Sequence, residues 1–275
     1  MAAKYEAKTK SQLVSLADED VVKEVLVSTV LDLWKVVNNL TRLRPSKKDR
    51  YRVTIFGSAR VPKDSWVFGE VKCLARTLSE MGCDIVTGGG RGLMLAANEG
   101  AAEAGEGGRS RSYGVRVDLP FEQEVNPFVE QAFEHRTFFT RLHQFVLMSD
   151  AFVVVPGGIG TALETLMVWQ LLQVRHLGDR TPLILIGKMY SHLVDWAREH
   201  MLNPEFPLAN PEDMGIPLCV NNADEAITVI RKHHSAWRKE HRRGKAGVQV
   251  GRAARPGSRA GRNRTWKWGG RRNAD

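Results

Sequence analysis

The sequence predicts an α/β fold, a Rossmann-like doubly wound parallel sheet flanked by helices in a single domain. Three observations lead to it. From Tyr51 onward, short apolar runs rich in β-branched residues alternate with helical repeats, the pattern of strands covered on both faces by crossover helices. Successive runs end in Gly57-Ser58, in Gly88-Gly89-Gly90 and in Pro156-Gly157-Gly158, at the strand ends where parallel sheets place ligands. The last of these passes directly into a helical repeat, Leu163 to Leu171, so its glycines sit at a helix start.

The elements follow in order. Residues 16 to 43 put Val22, Val25, Leu26, Thr29, Val30, Leu33, Val36, Val37 and Leu40 at helical spacing behind the acidic Asp18, Glu19 and Asp20. An amphipathic helix is expected there, packed on the core or on a partner subunit. Strand YRVTIF follows, then a helix over 65 to 81, strand CDIVT, helix LMLAANEGAAEAG, strand SYGVRVDL, and a helix over 138 to 148. Strand AFVVV leads into the PGGIGT loop and its helix; strand PLILIG, a helix over 190 to 201, a short strand IPLCV and a helix over 223 to 237 complete the domain.

Composition bounds the rest. With 275 residues, 43% of them hydrophobic, the chain can bury one substantial α/β core with extensions at both ends. No apolar run reaches membrane-spanning length, and MAAKYEAKTK lacks the apolar segment of a signal peptide, so a cytoplasmic protein without membrane contact is expected. Cys73, Cys83 and Cys219 are widely spaced in apolar patterns and are expected to be buried, reduced thiols. The eight histidines form no HExxH pattern and have no cysteine partners at zinc spacing, so no metal is expected.

The net charge of +9 is unevenly spread. Residues 238 to 275 hold 13 Lys and Arg against 2 Asp and Glu, which leaves 27 against 29 for residues 1 to 237. Three segments are therefore expected: an N-terminal helical extension (1–50), the α/β domain (51–237) and a basic disordered tail (238–275). Arginine, glycine, Trp266 and Trp268 in the tail suit single-stranded nucleic acid through charge and stacking. A solvated extension with no dedicated partner is the preferred reading of the same composition.

The chemistry concentrates in Pro156 to Glu164, PGGIGTALE. Glycines at a strand end and helix start present unpaired backbone N–H groups and the positive end of the helix dipole to an anion, with no Cβ in the way. Glu164 lies about one helical turn beyond Thr161. A carboxylate aimed into an anion pocket needs another task, such as stabilising positive charge on a sugar ring during glycosidic cleavage. An exposed first-turn glutamate that complements the helix dipole is equally compatible with the spacing. Neither glycine loop spells GxGxxG or ends in Lys-Ser/Thr, which disfavours a dinucleotide oxidoreductase or a nucleoside triphosphatase. A nucleoside monophosphate or a similar small phosphorylated ligand remains.

FGSAR, GGGRGLMLAANEGA, LPFEQ with NPF, Arg141 eight residues before Ser149, and PGGIGTxxE occur in that order. The set, over roughly residues 51 to 235, resembles the Lonely Guy (LOG) family, often labelled lysine-decarboxylase-like. The resemblance implies a cytokinin riboside 5′-monophosphate phosphoribohydrolase: hydrolysis of the N-glycosidic bond of a nucleoside 5′-monophosphate such as AMP, releasing free base and ribose 5-phosphate, with no cofactor. It implies Arg141 and Glu164 as catalytic residues and a 5′-phosphate held by Gly157, Gly158, Gly160 and Thr161. Gly57, Ser58, Gly88, Gly89 and Gly90 would line the nucleotide cleft, and Glu122 would stand near the ribose. Taken alone, Arg141 in FFTRLHQF reads as a helix-surface cation. The family usually has Arg-Lys where this chain has Arg141-Leu142, and Arg91 offers a replacement cation. Leu163 stands where a second acid is common. Pyridoxal-phosphate decarboxylation is rejected, because the glycine loops and the strand ends before them carry no lysine and Lys188 has no supporting motif. A non-catalytic nucleotide or molybdopterin carrier or sensor is the alternative. A homodimer is also expected, from the N-terminal helix and the Trp169 to Leu172 stripe.

Overall fold

The computed structural model describes residues 19–41, 50–104, 110–117, 124–178 and 180–253. The chain separates into two units, Met1–Asp49 and Arg50–Asp275. The first is represented by helix α1 (Glu19–Thr41). Within it Ser28 and Thr29 turn their hydroxyls back onto the Val25 carbonyl at 3.0 and 2.7 Å.

The second unit is built on seven strands: β1 (Arg52–Phe56), β2 (Asp84–Thr87), β3 (Ser112–Val117), β4 (Gln131–His135), β5 (Ala151–Val154), β6 (Leu183–Ile186) and β7 (Pro217–Val220). All neighbours pair in parallel, in the order β4-β3-β2-β1-β5-β6-β7. The chain winds outward from β1 to β4, crosses back, and continues on the other side from β5. The doubly wound expectation is met, and the switch of direction falls between β1 and β5, where such sheets open a ligand crevice.

Helices α2 (Trp66–Glu80), α3 (Leu93–Glu103), α4 (Phe138–Met148), α5 (Ile159–Gln173), α6 (Lys188–Met201) and α7 (Ala223–Ala253) cover the sheet. Alternation along the strands sorts the core into two layers. Val53, Ile55, Ile85 and Val153 pack against α2, α3 and α7, whereas Phe56, Val86, Phe152 and Val154 pack against α4, α5 and α6. Gly100 of α3 allows α3 to meet α2 backbone to backbone, since a Cβ there would overlap the Lys72 carbonyl.

Four expectations need correction. Strand β4 was not foreseen: QAFEH is polar and largely exposed, and pairing with β3 over five residues supplies what its composition lacks. α7 continues through Ala253, past the boundary expected at 237, because Lys, Arg, Glu, Gln and Ala dominate that stretch and favour helix. Trp169 and Leu172 are buried in their own core, so they offer nothing to a partner; the exposed apolar residues of α5 are Ile159, Leu163 and Leu166. Cys83 is buried, but Cys73 and Cys219 are exposed, on the outward faces of α2 and β7. Among the described residues no helix is long and apolar enough to cross a membrane.

Candidate functional site

A cleft of about 400 Å³ opens at the C-terminal ends of β1 and β5. Gly57, Ser58, Ala59 and Arg60 form one wall, and Gly158, Ile159, Gly160, Thr161 and Glu164 another; Met94, Val117, Phe138 and Arg141 complete the lining. Backbone bonds hold the walls in register. The Ser58 N–H donates to the Pro156 carbonyl at 3.1 Å, and Leu93 N–H donates to the Ser58 carbonyl at 2.8 Å. The turn after β1 is thereby pinned between the loop after β5 and the start of α3. Gly57 is required for that approach, since a Cβ there would come within 2.6 Å of Val155 and 2.9 Å of Leu93.

Helix α5 begins without a side-chain cap at Gly158. Its first intrahelical bond runs from Ala162 N–H to the Gly158 carbonyl, which leaves the N–H groups of Ile159, Gly160 and Thr161 without an intrahelical acceptor. A Cβ at Gly158 or Gly160 would meet nothing within 4 Å. The helix start thus faces open space with donors and a positive dipole end, as an anion requires. Gly157 acts differently: it lies against Thr161, where a Cβ would overlap the threonine side chain.

Glu164 is 7% exposed, which removes the exposed-glutamate alternative. Its Oε1 stands 3.1 Å from Nη1 of Arg141. Arg141 is held on three sides: its Nε donates to the Val115 carbonyl at 2.9 Å, its guanidinium lies 5.2 Å above the Phe145 ring, and Nη2 passes 2.6 Å from where a Gly88 Cβ would be. Gly88 and Gly90 therefore serve Arg141 and Met94 rather than lining the cleft. Gly89, at φ +72°, lies against Gly114.

A buried amide network fixes this loop. Thr87 donates to Asn98, and Asn98 donates to Ser112, both at 2.7 Å. Asn126 donates to the loop twice: its Nδ2 reaches the Gly90 carbonyl at 3.0 Å, and its backbone N–H reaches the Gly89 carbonyl at 2.9 Å.

Tyr190 of α6 escaped the sequence reading. Its hydroxyl donates to the Val155 carbonyl at 2.9 Å beneath the glycine loop. Burial, and then the negative charge of Glu164, push its phenol up to about 12. His135, at the end of β4, is pushed below the usual imidazole value by burial and by Arg141. Arg60, the last residue of FGSAR, also lines the cleft, and no pattern in the sequence marks it out. Arg91 is exposed and outside the cleft lining, and Leu142 is buried in the core. Glu122 lies outside the described residues. Among the described residues no three His, Cys, Asp or Glu side chains group as a metal site.

Fold and site together define a doubly wound α/β protein whose crevice joins an uncapped helix start to a buried arginine–carboxylate pair. Residues 94–230 match the family described as "Possible lysine decarboxylase", and the chain belongs to this LOG-like family. The matched span holds Arg141 and the whole PGGIGTxxE segment; Gly57, Ser58 and Arg60 precede it. No curated protein matches the chain. Among solved structures, the molybdenum cofactor binding protein from the phototrophic bacterium Rippkaea orientalis is 18% identical, over 66% of this chain and 96% of that one, with a TM-score of 0.50. The molybdenum cofactor carrier protein MCP from Chlamydomonas reinhardtii is 19% identical, over 68% and 99%, with a TM-score of 0.51. At such identities the likeness is one of fold.

The family description prompts a test for pyridoxal phosphate, whose chemistry needs a lysine for the Schiff base. Among the described residues no lysine lines the cleft, and Lys188 is exposed outside its lining. The residues present do not fit that cofactor.

Proposed function

We propose that the protein hydrolyses the N-glycosidic bond of nucleoside 5′-monophosphates, AMP or cytokinin riboside 5′-monophosphates, to free base and ribose 5-phosphate. One observation supports this above the rest: the Arg141–Glu164 pair lies in the same cleft as the uncapped start of α5. A phosphate received by the N–H groups of Gly160 and Thr161 leaves the ribose beside Glu164.

As the bond from C1′ to the base breaks, its electron pair leaves with the base and C1′ gains oxocarbenium character. The Glu164 carboxylate stabilises that charge and orients the water that adds to C1′. The water's proton is released and the departing base is protonated, so the atoms of substrate and water are all accounted for. Arg141 holds Glu164 in place, with its planar fork shared between the carboxylate and the Val115 carbonyl.

The test is chromatography of products after incubation with AMP and with isopentenyladenosine monophosphate. Base release by the wild type and a loss of at least about 100-fold in Glu164→Ala is the expected outcome. Intact nucleotide at high enzyme concentration, with the ligand retained, would turn the assignment to a carrier or sensor of the same fold.

A further inference from the structure

We propose that Arg60 is the cation that recognises the 5′-phosphate and makes the cleft selective for phosphorylated ligands. The inference rests on the phosphoribosyl reading of the cleft, and charge balance leads to it. A phosphate monoester brings nearly two negative charges into a space already holding Glu164. Arg141 does not balance them, because its charge is matched by Glu164 and its donors reach that carboxylate and the Val115 carbonyl. The start of α5 supplies N–H donors and about half a positive charge. A further cation is needed, and among the described residues no lysine lines the cleft.

Among the described residues, Arg60 is the other arginine in the lining. It is exposed, and its guanidinium forms no ion pair or hydrogen bond with any described residue. Its backbone is nevertheless fixed. Ser58 Oγ accepts the Arg60 N–H at 3.1 Å, and Ser58 is itself bonded to Pro156 on one side and Leu93 on the other. Ser58 thereby acts as the residue that aims Arg60, its hydroxyl being occupied by the turn. The five-donor fork of arginine suits a phosphate held at the same time by helix amides. Arg91, the replacement cation expected from sequence, is exposed away from the cleft and serves as the control.

The experiment is titration calorimetry of the full chain with ribose 5-phosphate and with adenosine, on the wild type and on Arg60→Met, Arg60→Lys and Arg91→Met. Arg60→Met is expected to weaken ribose 5-phosphate binding about 30-fold, the loss of a charge-assisted contact, while adenosine binding stays within about two-fold. Arg60→Lys recovers part of the affinity, and Arg91→Met matches the wild type. Equal ribose 5-phosphate affinity in wild type and Arg60→Met, or no binding by the wild type, overturns the inference. Equal weakening of both ligands also overturns it, since that marks a structural role. Arg60-dependent binding in a protein that releases no base leaves the inference standing and removes the hydrolase assignment instead.

Discussion

Tyr190 shows how one side chain supports a site it does not line. Its hydroxyl ties α6 to the end of β5 directly under the glycine loop. Tyr190→Phe is expected to lower stability by about 1 kcal/mol, the net worth of one hydrogen bond, measured by urea denaturation near pH 8. The phenol has an ordinary value of 10.0 and is pushed to about 12 in the folded protein, so the folded state holds this proton more tightly. Its contribution is complete below pH 10 and is lost as the pH rises from 10 to 12. Alkaline absorbance titration of Tyr190→Phe should show one late-ionising phenol fewer than the wild type, with Tyr51, which burial raises further still, remaining in both. At the same scale, Glu164 was legible as one of two readings from its spacing to Thr161, whereas Arg141 was legible only through resemblance. They lie 23 positions apart, and nothing in FFTRLHQF says that its arginine turns inward over Gly88.

Among the elements, α7 is anchored by an aromatic cluster that sequence periodicity did not reveal. Tyr51 hydrogen-bonds His233 Nδ1 at 2.5 Å, and the rings of His234 and Trp237 lie 4.9 and 5.5 Å from Tyr51. Burial depresses both histidines below the ordinary 6.5; Arg238 adds to this at His234, while Asp150 and Glu240 oppose it at His233. A depressed histidine stays neutral in the folded state while the unfolded chain takes up a proton. Stability is therefore complete above pH 6.5 and falls as the pH drops below it. Denaturation midpoints at pH 7.5 and 5.5 should differ less in His234→Leu than in the wild type; an equal difference would show that the cluster does not titrate.

β4 illustrates the opposite limit of legibility. AFVVV and PLILIG announce themselves because strands covered on both faces are apolar throughout. QAFEH at the sheet edge is read as a strand only once β3 is beside it, since its stability comes from the ladder and not from its side chains.

On the scale of the whole molecule, Ile159, Leu163 and Leu166 of α5 and Phe138 and Phe139 of α4 are exposed. Phe138 and Ile159 also border the cleft. We expect two copies to pair over this apolar rim, placing the site next to the interface. Sedimentation of the wild type at micromolar concentration should give a dimer, and Leu163→Glu with Leu166→Glu a monomer. A monomeric wild type would end that expectation.

By itself, the sequence determined the doubly wound sheet and the glycine loop that opens α5, because both depend on local pattern: β-branched runs buried on two faces, and glycines between a strand and a helix. Tertiary structure decided how the loops divide the work. Only the strand order brings β1 and β5 together at the switch point, joining Arg60 to the start of α5 in one cleft. Only the crossing of α4 over β3 sets Arg141 against Glu164 and leaves Gly88 as the gap it passes through. Charge pairing and burial depend on which distant residues become neighbours, and those neighbours are chosen by the packing of the sheet and not by spacing along the chain.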